Sequence, residues 1–280
     1  AYTYLDFEKA ARRYGKVGGF AHLATLVKRL KASRPGALLL DVRRSFGVFD
    51  PADRERSREL RDTADRQAHE HIARRLADER PLDTLLSEEG DREGGRRGAS
   101  RVWVVDPLDG TWEYGQRRDD FAVHIALWTR GEGDDGVLTA ASVDLPSQGI
   151  TWSVLDDARA PEALPADRPV RVVVSRSRRP VDVDDLVDGL RERLAVEVEI
   201  VTVGSVGAKV GELLAGRAEV YVHDSGFHDW DLAAPLAVAE RQGFWCSTPT
   251  GEPFRFNGDS LVQPGVVMAA KAIADRPGVT

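Results

Sequence analysis

The 280-residue chain contains one cysteine, Cys246, and one methionine. A lone cysteine excludes an internal disulfide and a cysteine-based zinc site. It fits a reducing compartment, so a cytoplasmic location is expected. No run approaches 18 apolar residues, and no membrane-spanning helix is expected. Residues 1–16 are charged and lack an apolar stretch, so no secretory signal is visible, although the chain does not begin with Met. A basic excess is also missing. The net charge is −7, which argues against a nucleic-acid polymer as partner. Residues 1–41 carry a net +5, leaving −12 for the rest. An acidic body suits metal cations, and a phosphorylated substrate would need bridging cations or a local basic pocket. The 42% hydrophobic and 30% charged residues are those of an ordinary globular protein.

Periodicity places helices at 19–31 and 63–80. Strands are expected at Leu85-Leu86, Val102–Val105, Phe121–Trp128, Val137–Val143 and Ile150–Val154. Gly90–Ser100, rich in glycine and charge, reads as a mobile surface loop. Leu155–Pro169 is a candidate boundary. Beyond it, strands at 170–174, 196–203 and 218–222 alternate with helices near 183–194, 206–215 and 232–242. That alternation predicts α/β organisation after an antiparallel α+β first half.

The most informative stretch is Trp103-Val104-Val105-Asp106-Pro107-Leu108-Asp109-Gly110-Thr111. An apolar strand runs into two aspartates three residues apart. Pro107 fixes one backbone angle and Gly110 permits a tight turn, so both carboxylates and an intervening carbonyl can aim at one point. Hard cations take such oxygen ligands. A turn without chemistry uses the same residue types. Glu88-Glu89 follows the apolar pair Leu85-Leu86. Asp231, in Trp230-Asp231-Leu232-Ala233-Ala234, precedes a helix it could simply cap.

Ser87-Glu88-Glu89, Trp103 through Thr111 and Trp230 through Ala234, in that order, resemble the inositol-monophosphatase-like superfamily of Mg²⁺-dependent, Li⁺-sensitive phosphatases. The resemblance covers roughly residues 38–270. Glu113-Tyr114 after Gly110-Thr111 resembles the CysQ-type 3′(2′),5′-bisphosphate nucleotidases, although Trp112 stands where that branch carries Lys or Arg. Leu38–Arg43 and Gly251–Asn257 also look like its actinobacterial members.

The resemblance implies a layered α-β-α-β-α sandwich of the inositol monophosphatase/fructose-1,6-bisphosphatase type. It implies two or three Mg²⁺ ions held by Glu88, Asp106, Asp109, Asp231 and the Leu108 carbonyl. Asp65, Thr111, Glu88 and Asp109 would serve catalysis, Asp65 by positioning the attacking water or a further metal and Thr111 by hydrogen-bonding that water. Gly110, Thr111, Ser205, Lys209, Arg176 and Asp231 would contact substrate. Independently, Gly204-Ser205-Val206-Gly207-Ala208-Lys209 lies between a strand and a helix, where free N–H groups can hold phosphate. It lacks the Gly-Lys-Ser/Thr order of a P-loop. Ser175-Arg176-Ser177-Arg178-Arg179 could hold a second phosphate or be a solvated charge run. His223 and His228 read as surface or pocket-rim residues, because Mg²⁺ prefers oxygen. Cys246 reads as a packed side chain.

Residues 1–41 instead resemble a segment of the metallophosphoesterases related to 5′-nucleotidases and the thiosulfohydrolase. The Gly-Gly-Asp ligand motif of that family is replaced by Val42-Arg43-Arg44 after Asp41. The expected divisions are a discordant helical segment (1–41), a metal-binding half (42–160) and a substrate-binding half (161–280). The expected reaction is hydrolysis of 3′-phosphoadenosine 5′-phosphate to AMP and phosphate, with its sulfated form a further candidate substrate, by a monomer or homodimer. An inositol or sugar monophosphatase and a non-catalytic nucleotide or metal sensor are the alternatives.

Overall fold

The computed structural model describes residues 54–90, 95–131, 136–157, 163–224 and 226–275. The helix expected at 19–31 and the segment 1–41, expected to be discordant, lie outside them.

Helix α1 (Arg54–Glu79) is strongly polar and buries a narrow stripe of Ala64, Ile72 and Leu76. The first sheet follows: β1 (Thr84–Ser87), β2 (Arg101–Asp109), β3 (Ala122–Arg130), β4 (Gly136–Leu145) and β5 (Ile150–Ser153), with the five-residue α2 (Thr111–Gly115) between β2 and β3. The spatial order is β1-β2-β3-β4-β5. The β1–β2 pair is parallel and the other pairs are antiparallel.

The second half comprises β6 (Val170–Ser175), α3 (Val183–Leu194), β7 (Val198–Val203), α4 (Val206–Leu214), β8 (Val220–His223), β9 (Phe227–His228), α5 (Asp229–Arg241), β10 (Trp245–Ser247), β11 (Val262–Gln263), β12 (Val266–Ala269) and α6 (Lys271–Ala274). Its sheet has the order β10-β12-β8-β6-β7. Strand β6 runs parallel to β7 and β8, whereas β12 is antiparallel to both β8 and β10. The strand–helix alternation found the parallel part. Strands β10–β12, only two to four residues each, fall below the length at which periodicity speaks.

Strand parity builds the layers, because successive side chains point to opposite faces. On β2, Trp103 and Val105 pack with α1, Tyr114 and Phe121. Val102 and Val104 face the other way, into a core shared with α4 and α5. That core continues to Val173, Tyr221 and Met268 of the second sheet. The opposite face of that sheet, through Val170, Val172 and Val174, packs on Val187 and Leu190 of α3 and Ile273 of α6. The layers are therefore α1/α2, first sheet, α4/α5, second sheet, α3/α6, the expected sandwich.

The described part of the loop expected at 90–100 lies mostly at the surface, with one residue anchored inward. Residues 95–100 form turns, and Arg96 is buried. Its guanidinium donates to Asn257 Oδ1 at 3.1 Å and to the Gly258 carbonyl at 2.8 Å.

Candidate active site

Asp106 and Asp109 lie on one strand three positions apart, a spacing that normally sends side chains to opposite faces. A register shift between them in the β2–β3 pairing resets the parity. Leu108 consequently packs on the α1 side, and Asp109 joins Asp106 toward α4 and α5. The Asp106 carboxylate folds back to accept the Leu108 N–H at 3.0 Å. Gly110 then turns the chain with φ +85°, and α2 begins at Thr111.

Glu88 reaches this point by register. Ser87 pairs with Val105, and the Glu88 N–H donates to the Val105 carbonyl at 3.2 Å. Both strands are pinned at their far ends by Asp83. It accepts from Arg80 Nε (3.0 Å), Arg101 Nε (2.6 Å) and Trp103 Nε1 (3.0 Å). Asp65 sits one turn before His69 on α1, and His69 Nδ1 bonds the buried Ser87 Oγ at 2.9 Å, docking α1 on the end of β1. Asp231 closes the group from the first turn of α5, where its Oδ2 accepts the His228 N–H at 2.6 Å. Asp231 therefore caps its helix as well as joining the cluster.

The titration behaviour reports crowding. Burial, then Glu88, Glu89 and Asp62, pushes Asp65 up to about 8. Burial, then Asp231, Asp109 and Glu89, pushes Glu88 up to about 7. Burial and the same acidic neighbours hold Asp106 well above the carboxylate range, and burial raises Asp231. Asp109 runs the other way. Burial would raise it, but His124, Lys209 and the Gly207 N–H outweigh burial and hold it low. Among the described residues no three His, Cys, Asp or Glu side chains stand already arranged to hold a metal ion. The donor set itself fits Mg²⁺: all-oxygen, strongly anionic, and strained by mutual repulsion that a divalent cation would relieve. Asp65 Oδ1 is buried without a hydrogen-bond partner, a further oxygen available to a water or cation.

The loop from Gly204 to Gly207 lies directly on the cluster. The Gly207 N–H donates to Asp109 Oδ2 at 2.7 Å, and Ser205 Oγ caps α4 by accepting the Ala208 N–H at 3.0 Å. Asp120 braces the same turn, accepting from Gly204 N at 2.9 Å, from Arg176 at 2.5 Å and from Arg118 at 3.1 Å. Arg176 also reaches Glu113 Oε1 at 3.3 Å, so its guanidinium is engaged by two carboxylates. Lys209 is fully buried. Its ammonium donates to the Gly204 carbonyl and lies 5.5 Å from the Tyr221 ring, and burial lowers it to about 8.

Sequence reading missed His124, Asp120, Asp83 and Asp229. Buried Asp229 accepts from Asn257 N and Gln263 Nε2, both at 2.6 Å, tying the start of α5 to the 254–263 segment. His223 is a correction. It is buried, not at the surface, and stacked on Phe227 with ring centroids 4.4 Å apart. His228 is partly exposed and stacks on Trp230. Cys246 is partly buried against the shared core, as expected.

The Inositol monophosphatase family model matches residues 28–278. A 3′-phosphoadenosine 5′-phosphate phosphatase of Mycobacterium leprae is 38% identical over 250 residues, covering 87% of this chain and 88% of the relative. The 3′(2′),5′-bisphosphate nucleotidase CysQ of Escherichia coli is 31% identical, covering 72% and 82%. The crystal structure of CysQ from Bacteroides thetaiotaomicron superposes with a TM-score of 0.66 at 27% identity, covering 85% of this chain and 93% of that one. With the layered sandwich in place, this breadth of agreement settles the family: the chain belongs to the inositol monophosphatase family.

Proposed function

We propose that this protein is a Mg²⁺-dependent phosphatase that hydrolyses 3′-phosphoadenosine 5′-phosphate to AMP and phosphate. The observation that carries the reading is the β2 bulge, which turns Asp106 and Asp109 to one face beside Glu88 and Asp231, with the Gly204–Gly207 turn bonded onto the cluster. The names borne by its relatives support the nucleotide substrate.

Glu88, Asp106, Asp109, Asp231 and the Leu108 carbonyl would hold two or three Mg²⁺ ions. When bound, these cations supply charge neutralisation of the phosphoryl oxygens and a water of lowered pKa. The chain itself supplies position. Asp65 and Thr111 orient the attacking water. Gly110 and the Ser205 hydroxyl face the phosphate oxygens, and Lys209 adds positive charge behind the Ser205 turn, whose Gly204, Ser205 and Gly207 N–H groups are held by Asp120 and Asp109. Arg176 acts on the substrate pocket through Asp120 and Glu113, bracing the turn that carries Ser205. A cytoplasmic monomer or homodimer fits the single cysteine.

A phosphate-release panel tests the reading. The expected result is Mg²⁺-dependent release from 3′-phosphoadenosine 5′-phosphate faster than from inositol 1-phosphate, with inhibition by Li⁺. Faster release from inositol 1-phosphate would overturn the substrate assignment. Tight nucleotide binding without turnover in saturating Mg²⁺ would overturn the enzymatic one.

A further inference from the structure

His124 lies on β3 with the parity of Ala122 and Ala126, facing α4 and α5, and is completely buried. Its Nε2 stands 3.1 Å from Asp109 Oδ2, and its Nδ1 stands 3.4 Å from the Trp230 carbonyl. Both neighbours are acceptors: Nδ1 bonds the Trp230 carbonyl, while Nε2 lies against Asp109 Oδ2 in a close contact that lacks hydrogen-bond geometry. Asp109 Oδ2 also receives the Gly207 N–H at 2.7 Å. The Gly207 N–H and the imidazole together crowd Oδ2, which leaves Oδ1 the more open oxygen for a cation. The approach is close by construction: a Cβ on Gly207 would stand 2.4 Å from His124 Nε2. At its other end the ring holds Trp230, the residue immediately before Asp231.

Resting on the metal-site reading above, we propose that His124 is a positioning residue for the cations. It fixes Asp109 as a one-oxygen ligand and ties it to the start of α5, so that the ligands contributed by β2 and α5 keep their separation. The imidazole takes no part in the chemical step. It acts by holding one carboxylate oxygen while the other binds metal, the role that partners of ligating side chains commonly play.

The test compares two amide variants, because a glutamine amide reaches about as far as Nε2 and an asparagine amide only as far as Nδ1. Binding of Mn²⁺ alone, without substrate, is followed by electron paramagnetic resonance, with circular dichroism confirming the fold of each variant. His124→Asn is expected to weaken Mn²⁺ binding about 10–100-fold, and His124→Gln to restore most of it. Wild-type affinity in His124→Asn, or equal weakening in both variants, overturns the proposal. Asp109→Asn serves as the control for the site. If it binds Mn²⁺ normally, the metal-site reading fails. If it loses Mn²⁺ while His124→Asn does not, only the positioning role fails.

Discussion

Gly110 and Ser205 face each other so closely that a Cβ on the glycine would stand 2.8 Å from the serine Cβ. The turn after β2 and the cap of α4 are thus packed backbone to side chain, although 95 positions separate them in the chain. Gly110 also has φ +85°, which an L side chain adopts at a cost of about 1–2 kcal/mol. Gly110→Ala should lower stability by at least that amount and push the two turns apart. A misplacement near 1 Å can cost about 100-fold in rate. Urea unfolding and phosphate release measure the two effects. An alanine variant with native kcat/KM would refute the role of this close approach.

Asp106 and Asp109 are shifted in opposite directions, so their neutral isosteres should differ. Both Asp106→Asn and Asp109→Asn remove an anionic ligand and should abolish Mg²⁺-dependent turnover. In EDTA at pH 8, however, Asp106→Asn relieves a buried carboxylate whose charge is disfavoured and should melt no lower than wild type. Asp109→Asn discards a charge favoured by His124, Lys209 and the Gly207 N–H, and should melt lower. Thermal melts followed by circular dichroism give the order. The reverse order would contradict the assigned environments.

Metal-free protein should lose stability as pH rises from about 6.5 to about 8. Asp65 and Glu88, raised from ordinary values of 3.8 and 4.5 to about 8 and about 7, hold protons in the folded state that the unfolded chain has already released. Their stabilising contribution is full below the unfolded values and disappears as pH passes the folded ones. His223, lowered to about 4, has the opposite slope, but that slope ends near its unfolded value of 6.5. Lys209, lowered to about 8, opposes only above that pH. Urea midpoints in EDTA should therefore fall across this interval, and saturating Mg²⁺ should flatten or reverse the trend. A midpoint that climbs with pH in EDTA would refute the prediction.

Lys209→Met keeps the buried volume and removes the charge. A bisphosphate carries one phosphate to the metals and needs a cationic or N–H partner for the other, whereas a monophosphate does not. Removing this buried charge from behind the turn should cost about 10-fold in kcat/KM on 3′-phosphoadenosine 5′-phosphate and much less on inositol 1-phosphate. Equal losses on both substrates would assign the ammonium to its bond with the Gly204 carbonyl alone.

The metal-ligand candidates were legible because local chemistry marks them. Asp106, Asp109 and Glu88 stand at ends of short apolar runs, and Gly110 and Pro107 signal a turn beside them. Asp120 was not legible. In Arg117-Arg118-Asp119-Asp120 it resembles a solvated charge run, and its bonds to Gly204 and Arg176 exist only after two distant segments fold together. Arg176 depends on the fold in the same way: its arginine-rich stretch suggests phosphate, and only the folded chain shows its guanidinium bonded to Asp120 and Glu113.

What the sequence by itself marked was the candidate anionic donors, the strand that carries two of them and the strand–helix alternation of the second half, since periodicity and turn chemistry act over a few residues; the order of layers came from the family resemblance. The tertiary structure decided which way those donors point. The β2 bulge, set by pairing with β3, put Asp106 and Asp109 on one face. His124, inward by strand parity alone, acquired its partners from 15 and 106 positions away, Asp109 and Trp230. A buried histidine takes its meaning from the atoms opposite its two nitrogens, and long-range packing chooses those atoms.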